Sequence, residues 1–366
     1  MESGRISERQ LFFLMIMILS TTVVFFIPQI IARVLKQETW TSAAIATIWG
    51  MAVVWIITAL GRMYPGLSLT GMIEQILGKW LGKALMFLYA LWFLDVGAAI
   101  IHQFSIFLNI NIMPETPLMA FSITMLGLAY YALRQGLEVW TRVNEILLPI
   151  VLIALIAVIV MPISHMEFSR LLPLGEHSFG EYIAESMVTG CWRAEIFIAA
   201  MLFPALVSFD KTRRNLMISV ILIGVILIAA EIAIVAVFGG LPAGEAEFPF
   251  YALARMISFA RTINRVEAIL IIAWVAAVFI KICMFLYATS MATAETLGLK
   301  DFKSLFFPIG VLMLGLSDNG VENIVGLSDF MANTFPGYGL LTFEFTIPLI
   351  LYIIALVRRR KQEKTS

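Results

Sequence analysis

Two cysteines and three histidines are all that 366 residues contain, and charged residues make up only 14% of the chain. Cys191 and Cys283 lie in separate apolar stretches with no CxxC partner, so a zinc ribbon or a thioredoxin-like motif is excluded and both read as small buried hydrophobes. His165 and His177 share one polar stretch with Glu176 and Glu181, a spacing better suited to solvated loop residues than to metal ligands. No metal site is expected. Lys plus Arg and Asp plus Glu each number 25, so there is no net charge to draw the chain to nucleic acid. The sequence has no HExxH, GxSxG, P-loop or GxGxxG; its one GxG, Gly337 to Gly339, lacks the third glycine and follows no strand. No catalytic residue and no cofactor are expected, and the chain does not read as an enzyme.

What it has in excess is apolar surface: 61% of residues are hydrophobic and the mean hydropathy is +0.94. A soluble domain cannot bury that much, whereas a bilayer core about 30 Å thick takes up ~20 apolar residues per helix. Apolar runs between charged or Pro/Gly-rich breaks predict ten spans, at 11–32, 41–61, 83–110, 117–133, 144–163, 186–207, 215–238, 267–290, 304–322 and 336–357. The ninth has the least certain end, because Asp318, Asn319 and Glu322 follow its apolar part at once. The leader before the first span carries Glu2, Arg5, Glu8 and Arg9, but the apolar run is too long for a signal peptide. With the N-terminus inside, 17 of the 25 basic residues fall on the cytoplasmic side and 6 outside, with Arg193 and Lys281 within spans. Both termini are therefore expected in the cytoplasm. Trp40, Trp80 and Trp140 sit at span edges, as interfacial anchors do.

Two gaps between spans have the same character. Leu69, Met72, Ile73, Ile76 and Leu77 alternate with Glu74, Gln75 and Lys79 after span two; Phe248, Tyr251, Leu253, Met256, Ile257 and Phe259 alternate with Arg255 and Arg261 after span seven. Both predict amphipathic interfacial helices, one on each side of the membrane. That pattern is what two inverted five-helix halves produce, about 11–163 and 186–357, in a single transmembrane domain of residues 1–366 with a basic cytoplasmic tail at 358–366. The first helix of each half is then expected to be broken. Span one carries Ser20, Thr21 and Thr22 with Pro28 beyond; span six carries Thr189, Gly190 and Cys191 with Pro204 beyond. A plainer alternative is that the hydroxyls bond back to their own helix and the prolines only kink it.

Asp95, Glu195, Glu231, Glu344, Arg193 and Lys281 fall inside spans, where each must face the bundle interior, water or a partner. Asp95 and His102 are seven apart and share one face of span three. Arg193 and Glu195 point about 200° apart on a continuous helix and could flank one ligand only if the chain unwinds near Gly190. The functional alternative is a charged pocket at mid-depth, in which Arg193 or a helix N-terminus meets a carboxylate and Glu195 or Asp95 meets an amine. The plain alternative is a set of structural ion pairs, such as Lys281 with Asp95 or Glu231. Glu231 and Glu344 fit the plain role better, since neither has a helix break nearby, and Glu344 facing a neighbouring subunit is a third option.

The chain resembles the B subunit of the GerA-type spore germination receptors, within the amino acid/polyamine/organocation transporter superfamily. The resemblance runs from about Ser7 to Arg360. It is carried by Tyr64-Pro65 followed by Leu77-Gly78-Lys79-Trp80, by Arg265-Val266-Glu267 with Trp274, by Glu195 followed by Pro204, by Ser328-Asp329 and by the basic C-terminus. It implies an all-α membrane protein of ten transmembrane helices with a LeuT-type inverted 5+5 repeat and broken helices 1 and 6. It implies residence in the inner membrane of a bacterial spore, both termini on the core side, and assembly with an A subunit and a lipoprotein C subunit. The implied function is binding of a small germinant, often an amino acid, between helices one, three, six and eight, which points to Ser20, Thr21, Thr22, Gly190 and Glu195. This chain departs from its relatives in having Ser-Thr-Thr-Val-Val at the first break and Arg193-Ala194 before Glu195, where glycine is usual. A secondary transporter of amino acids or amines, proton-coupled through Glu195 or Asp95, is the alternative function.

Overall fold

The computed structural model describes residues 4–259, 266–319 and 324–365; Arg261, Arg265 and Glu322 lie outside the described residues. Helix α1 (Glu8–Thr21) opens on a capping box, in which the Ser7 hydroxyl accepts from the Gln10 amide and the Gln10 side chain accepts from the Ser7 amide. The helix is interrupted at Thr22 and resumes as α2 (Val23–Leu35). Its cause is local. The Ser20 and Thr21 hydroxyls both bond back to the Met17 carbonyl, and Pro28 removes the amide that the Val24 carbonyl would use. The amides of Phe25 and Phe26 both turn to the Thr22 carbonyl, which frees the Thr21 carbonyl, and the Trp274 indole donates to it at 2.8 Å. A freed backbone group in the membrane is thereby met by a side chain.

Helices α3 (Thr39–Met63), α4 (Leu69–Leu77), α5 (Lys79–Asn111), α6 (Leu118–Arg134) and α7 (Leu137–Val160) follow. The short α4 turns its apolar face, Leu69, Met72, Ile73 and Ile76, into the protein against α5. A second capping box, Ser178 with Glu181, starts α8 (Phe179–Ala194). At Glu195 the backbone tightens into a 3-10 helix that runs to Ala205, far longer than the few residues usual for that form. The remaining elements are α9 (Thr212–Phe238), α10 (Gly240–Glu245), α11 (Pro249–Phe259), α12 (Val266–Leu297), α13 (Phe306–Asn319), α14 (Ile324–Asp329) and α15 (Ile347–Thr365). Between α14 and α15 the helix widens to π-type turns over Phe330–Thr334 and Pro336–Thr346.

Helix α12 occupies the centre, packed on α5, α7 and α1, and is buried on every side from Ala277 to Ser290. Its all-round apolar sequence has that consequence. The start of α1 and the end of the 3-10 segment are tied together: the Ile6 amide donates to the Ala205 carbonyl and the Val207 amide to the Ile6 carbonyl, the one isolated strand-like bridge among the described residues. Trp140 is not an interfacial anchor; it is fully buried beside Tyr287, while Trp80 is exposed.

Among the described residues, seven helical stretches are long and apolar enough to cross a membrane. One of them, Val23–Met63, merges the second half of expected span one with span two, and α6 and α13, at 17 and 14 residues, fall short of the length.

Candidate functional site

The two helix interruptions and α12 meet at one buried ion pair. Lys281 Nζ lies 2.6 Å from Glu195 Oε2, with side-chain exposures of 0% and 2%. The same ammonium donates to Thr22 Oγ1 at 2.9 Å, and the Trp192 indole donates to that hydroxyl at 2.8 Å. Thr22 is the residue at the first break and Glu195 the first residue of the 3-10 segment, so Lys281 joins both irregular backbones to the central helix. The expected partners of Lys281, Asp95 and Glu231, are not its partners; Glu195 is.

Glu344 joins this site from the π-type stretch. It is fully buried, neither carboxylate oxygen has a hydrogen-bond partner, and it interacts electrostatically with both Glu195 and Lys281. Burial inside the chain rules out the neighbouring-subunit role, and the wide π turns are the backbone irregularity that the sequence did not reveal. Two acids and one lysine thus share a buried volume, an arrangement that favours a further cation or proton to balance the charge.

Around the pair runs an aromatic wall. Trp92 stacks on Phe343 with ring centroids 5.7 Å apart, Phe93 lies on Phe197 at 5.6 Å, and the Tyr89 hydroxyl donates to the Phe343 carbonyl at 2.8 Å. The space beside Glu195 is about 20 Å³, lined by Val96, Gln103, Trp192, Met331 and Phe335 among others. That volume holds a water molecule and no amino acid. A larger cavity of about 270 Å³ lies at the far end of the 3-10 segment, between Ser68, Met201, Pro204, Tyr287 and Glu295. There the Glu295 carboxylate accepts from the Ser68 and Thr70 hydroxyls, which holds the first turn of α4 to α12.

The remaining expected site residues separate. Ser20 and Thr21 are spent on the Met17 carbonyl. Gly190 lies inside a continuous α8, where an added Cβ would sit 3.0 Å from Leu340 and 3.2 Å from Trp49; it serves close packing, and the helix changes form five residues later. Arg193 is fully buried but turns to α9, donating to the Ile223 carbonyl at 3.1 Å while Nε and Nη1 lack partners. Because α8 stays helical through Ala194, Arg193 and Glu195 do not converge. Glu231 is buried in α9, apart from Lys281, with the Thr39 hydroxyl in reach of its carboxylate. Asp95 and His102 share a face of α5, as their spacing predicts, but line a different cavity. Gln103 was missed. It is 4% exposed, lines the Glu195 pocket, donates to the Met331 sulfur and has a buried Oε1 with no partner. Next to His102 in an apolar helix, its amide was the available signal.

An all-helical membrane bundle with two interrupted helices around a buried charged centre has the architecture of a transporter-type permease. A solved Na⁺-coupled sialic acid symporter, in a substrate-bound outward-open state, shares this fold with a TM-score of 0.65 at 13% identity, over 90% of this chain and 80% of the symporter. Residues 5–318 match the spore permease family, described as Spore germination protein, and the chain belongs to that family. Spore germination protein KB of Bacillus subtilis (strain 168) is 24% identical over 374 residues, covering 100% of this chain and 98% of the relative. YndE of the same organism is 24% identical over 90% of both chains, and GerQB of Bacillus cereus is 23% identical over 81% of this chain and 82% of its own length. The protein is thus an integral membrane member of a spore germination family with the LeuT-type fold.

Proposed function

We propose that this chain is the membrane subunit of a spore nutrient receptor, and that a zwitterionic nutrient, an amino acid, is sensed by separating Lys281 from Glu195. The observation that carries this reading is the 2.6 Å ion pair set across both helix interruptions. A ligand with an ammonium and a carboxylate on adjoining carbons offers each partner a replacement: its carboxylate takes Lys281 and the Thr22 hydroxyl, and its ammonium takes Glu195 with Gln103 Oε1 nearby. Neither charge is then left unpaired, which is the condition for opening a buried pair at modest cost. Since the pocket is about 20 Å³ in this state, binding selects an opened arrangement of the broken helices, and a ligand that prefers one state shifts the population.

In this reading the chain is a single transmembrane domain of two repeats, about 11–163 and 186–357, in the spore inner membrane with both termini on the core side. The opened state is passed to an A subunit and a lipoprotein C subunit. The symporter fold favours a second reading, in which the same exchange of partners carries the ligand across the membrane. Uptake of labelled amino acid by the chain in liposomes distinguishes the two: binding without flux fits a receptor, and saturable flux a transporter. The receptor reading is tested with spores carrying Glu195→Gln, which are expected to lose their nutrient response while the subunit still reaches the membrane. A normal response in such spores would refute it.

A further inference from the structure

A second polar cavity, of about 150 Å³, opens between α5, α13 and α14 with the π-type turn that follows it. Asp95, Ala98, Ala99 and His102 form one wall, Leu316 and Ser317 another, and Leu327 with Phe330 the third. None of these lining residues is a lysine or arginine. Asp95 is half-buried, with the Tyr338 hydroxyl in reach of its carboxylate. His102 is 7% exposed, and its Nδ1 lies 2.9 Å from the Ser317 carbonyl oxygen. A carbonyl only accepts, so Nδ1 carries the hydrogen; in the neutral form of the ring the lone pair is then on Nε2, which meets no hydrogen-bond partner among the described residues. Asp318 adds a further negative charge near the ring.

Among the described residues, the cavity therefore presents acceptors and carboxylates and no matching donor beyond the tyrosine. Among the described residues no group of three ligating side chains could hold a metal ion. Asp95 and His102 stand two helical turns apart, about 10 Å along the axis, a separation that suits an elongated donor and not a point ion. One water needs about 10–15 Å³ of such space, so the cavity has room for about ten water-sized groups and a short chain fits within it. Ala98, Ala99, Leu327 and Phe330 supply an apolar flank between the two polar ends.

We propose that this cavity is a second binding site, for a short alkylamine that carries another hydrogen-bond donor at its far end. The ammonium sits on Asp95, the methylenes lie along Ala98, Ala99 and Phe330, and the second donor meets His102 Nε2. Ala99, Leu327 and Phe330 also line the pocket at Glu195, so an amine held here presses on the wall of the nutrient pocket without entering it.

The test is thermal unfolding of the purified full chain in detergent with 3-aminopropanol, against propane-1,3-diol as the uncharged analogue. The amine is expected to raise the unfolding temperature saturably and the diol to leave it unchanged. The shift persists in Glu195→Gln and requires at least tenfold more amine in Asp95→Asn. Ala98→Met, which fills the cavity and leaves its charges in place, abolishes the shift and covers the case in which Asp95→Asn does not fold. No shift in the native chain, an equal shift with the diol, or a shift lost in Glu195→Gln and kept in Asp95→Asn or Ala98→Met would overturn the proposal.

Discussion

Replacing Lys281 by methionine keeps most of the side-chain volume and removes the only positive charge beside Glu195. With exposures of 0% and 2%, neither side of the pair has water to fall back on. The variant leaves a buried carboxylate facing Glu344, a second buried acid, and takes one of two donors from Thr22. Breaking a buried pair from one side costs about 3–5 kcal/mol, while exchanging both members for apolar residues of like volume is close to neutral or stabilising. Lys281→Met and Glu195→Met should therefore each lower the unfolding free energy by about 3–5 kcal/mol, and the double variant by no more than about 1 kcal/mol. The cycle is then non-additive by at least about 5 kcal/mol. Denaturant titration of the purified protein in mixed micelles, followed by tryptophan fluorescence, measures all three. Single variants that unfold like the native protein, or a double variant equal to the sum of the singles, would refute the pairing.

Three other outcomes follow from the same packing. Thr22→Val, which removes the acceptor for Lys281 and Trp192, should cost about 1–3 kcal/mol in the same titration, while Ser20→Ala should change it by under about 1 kcal/mol. Glu344→Met replaces a buried carboxyl that has no hydrogen-bond partner and is expected to be neutral or to stabilise by about 1–3 kcal/mol; a loss of that size would show that Glu344 is held by a partner. At Gly50 an added Cβ would lie 2.9 Å from Val220 Cγ1 and 3.1 Å from Arg193 Cβ, so Gly50→Val should push α3 away from α8 and α9 and destabilise by about 1–3 kcal/mol.

The helices were legible because apolar runs are long and their ends are charged: α5, α9 and α12 begin and end within a few residues to half a turn or two of the expected spans. Both breaks were foreseeable in kind. A hydroxyl run with a proline about two turns on competes with the helix ladder, and Thr22 fulfils that expectation; in the second helix Pro204 stands fifteen residues after Thr189, and the change of backbone falls at Glu195 and not at Gly190, because Gly190 is needed for the approach of Trp49 and Leu340. Pairing was not legible. Lys281 and Glu195 are 86 positions apart, and nothing in either segment tells which of several intramembrane acids faces the lysine. Glu344 was discounted for want of a nearby break because π-type turns have no strong sequence mark beyond Pro336 and two glycines. Arg193 was drawn to Glu195 by proximity in sequence, but an unbroken α8 sends the two in different directions.

The central claim is that a zwitterionic nutrient opens the Lys281–Glu195 pair. Its most direct test is the unfolding temperature of the purified chain against the amino acids, with Glu195→Gln and Lys281→Met in parallel, because a ligand that binds only the folded state raises apparent stability by mass action. The account predicts a saturable rise with at least one amino acid in the native chain that disappears in both variants and is not reproduced by the corresponding amine or carboxylic acid alone. A rise of equal size that survives in both variants would place the nutrient elsewhere and contradict the account.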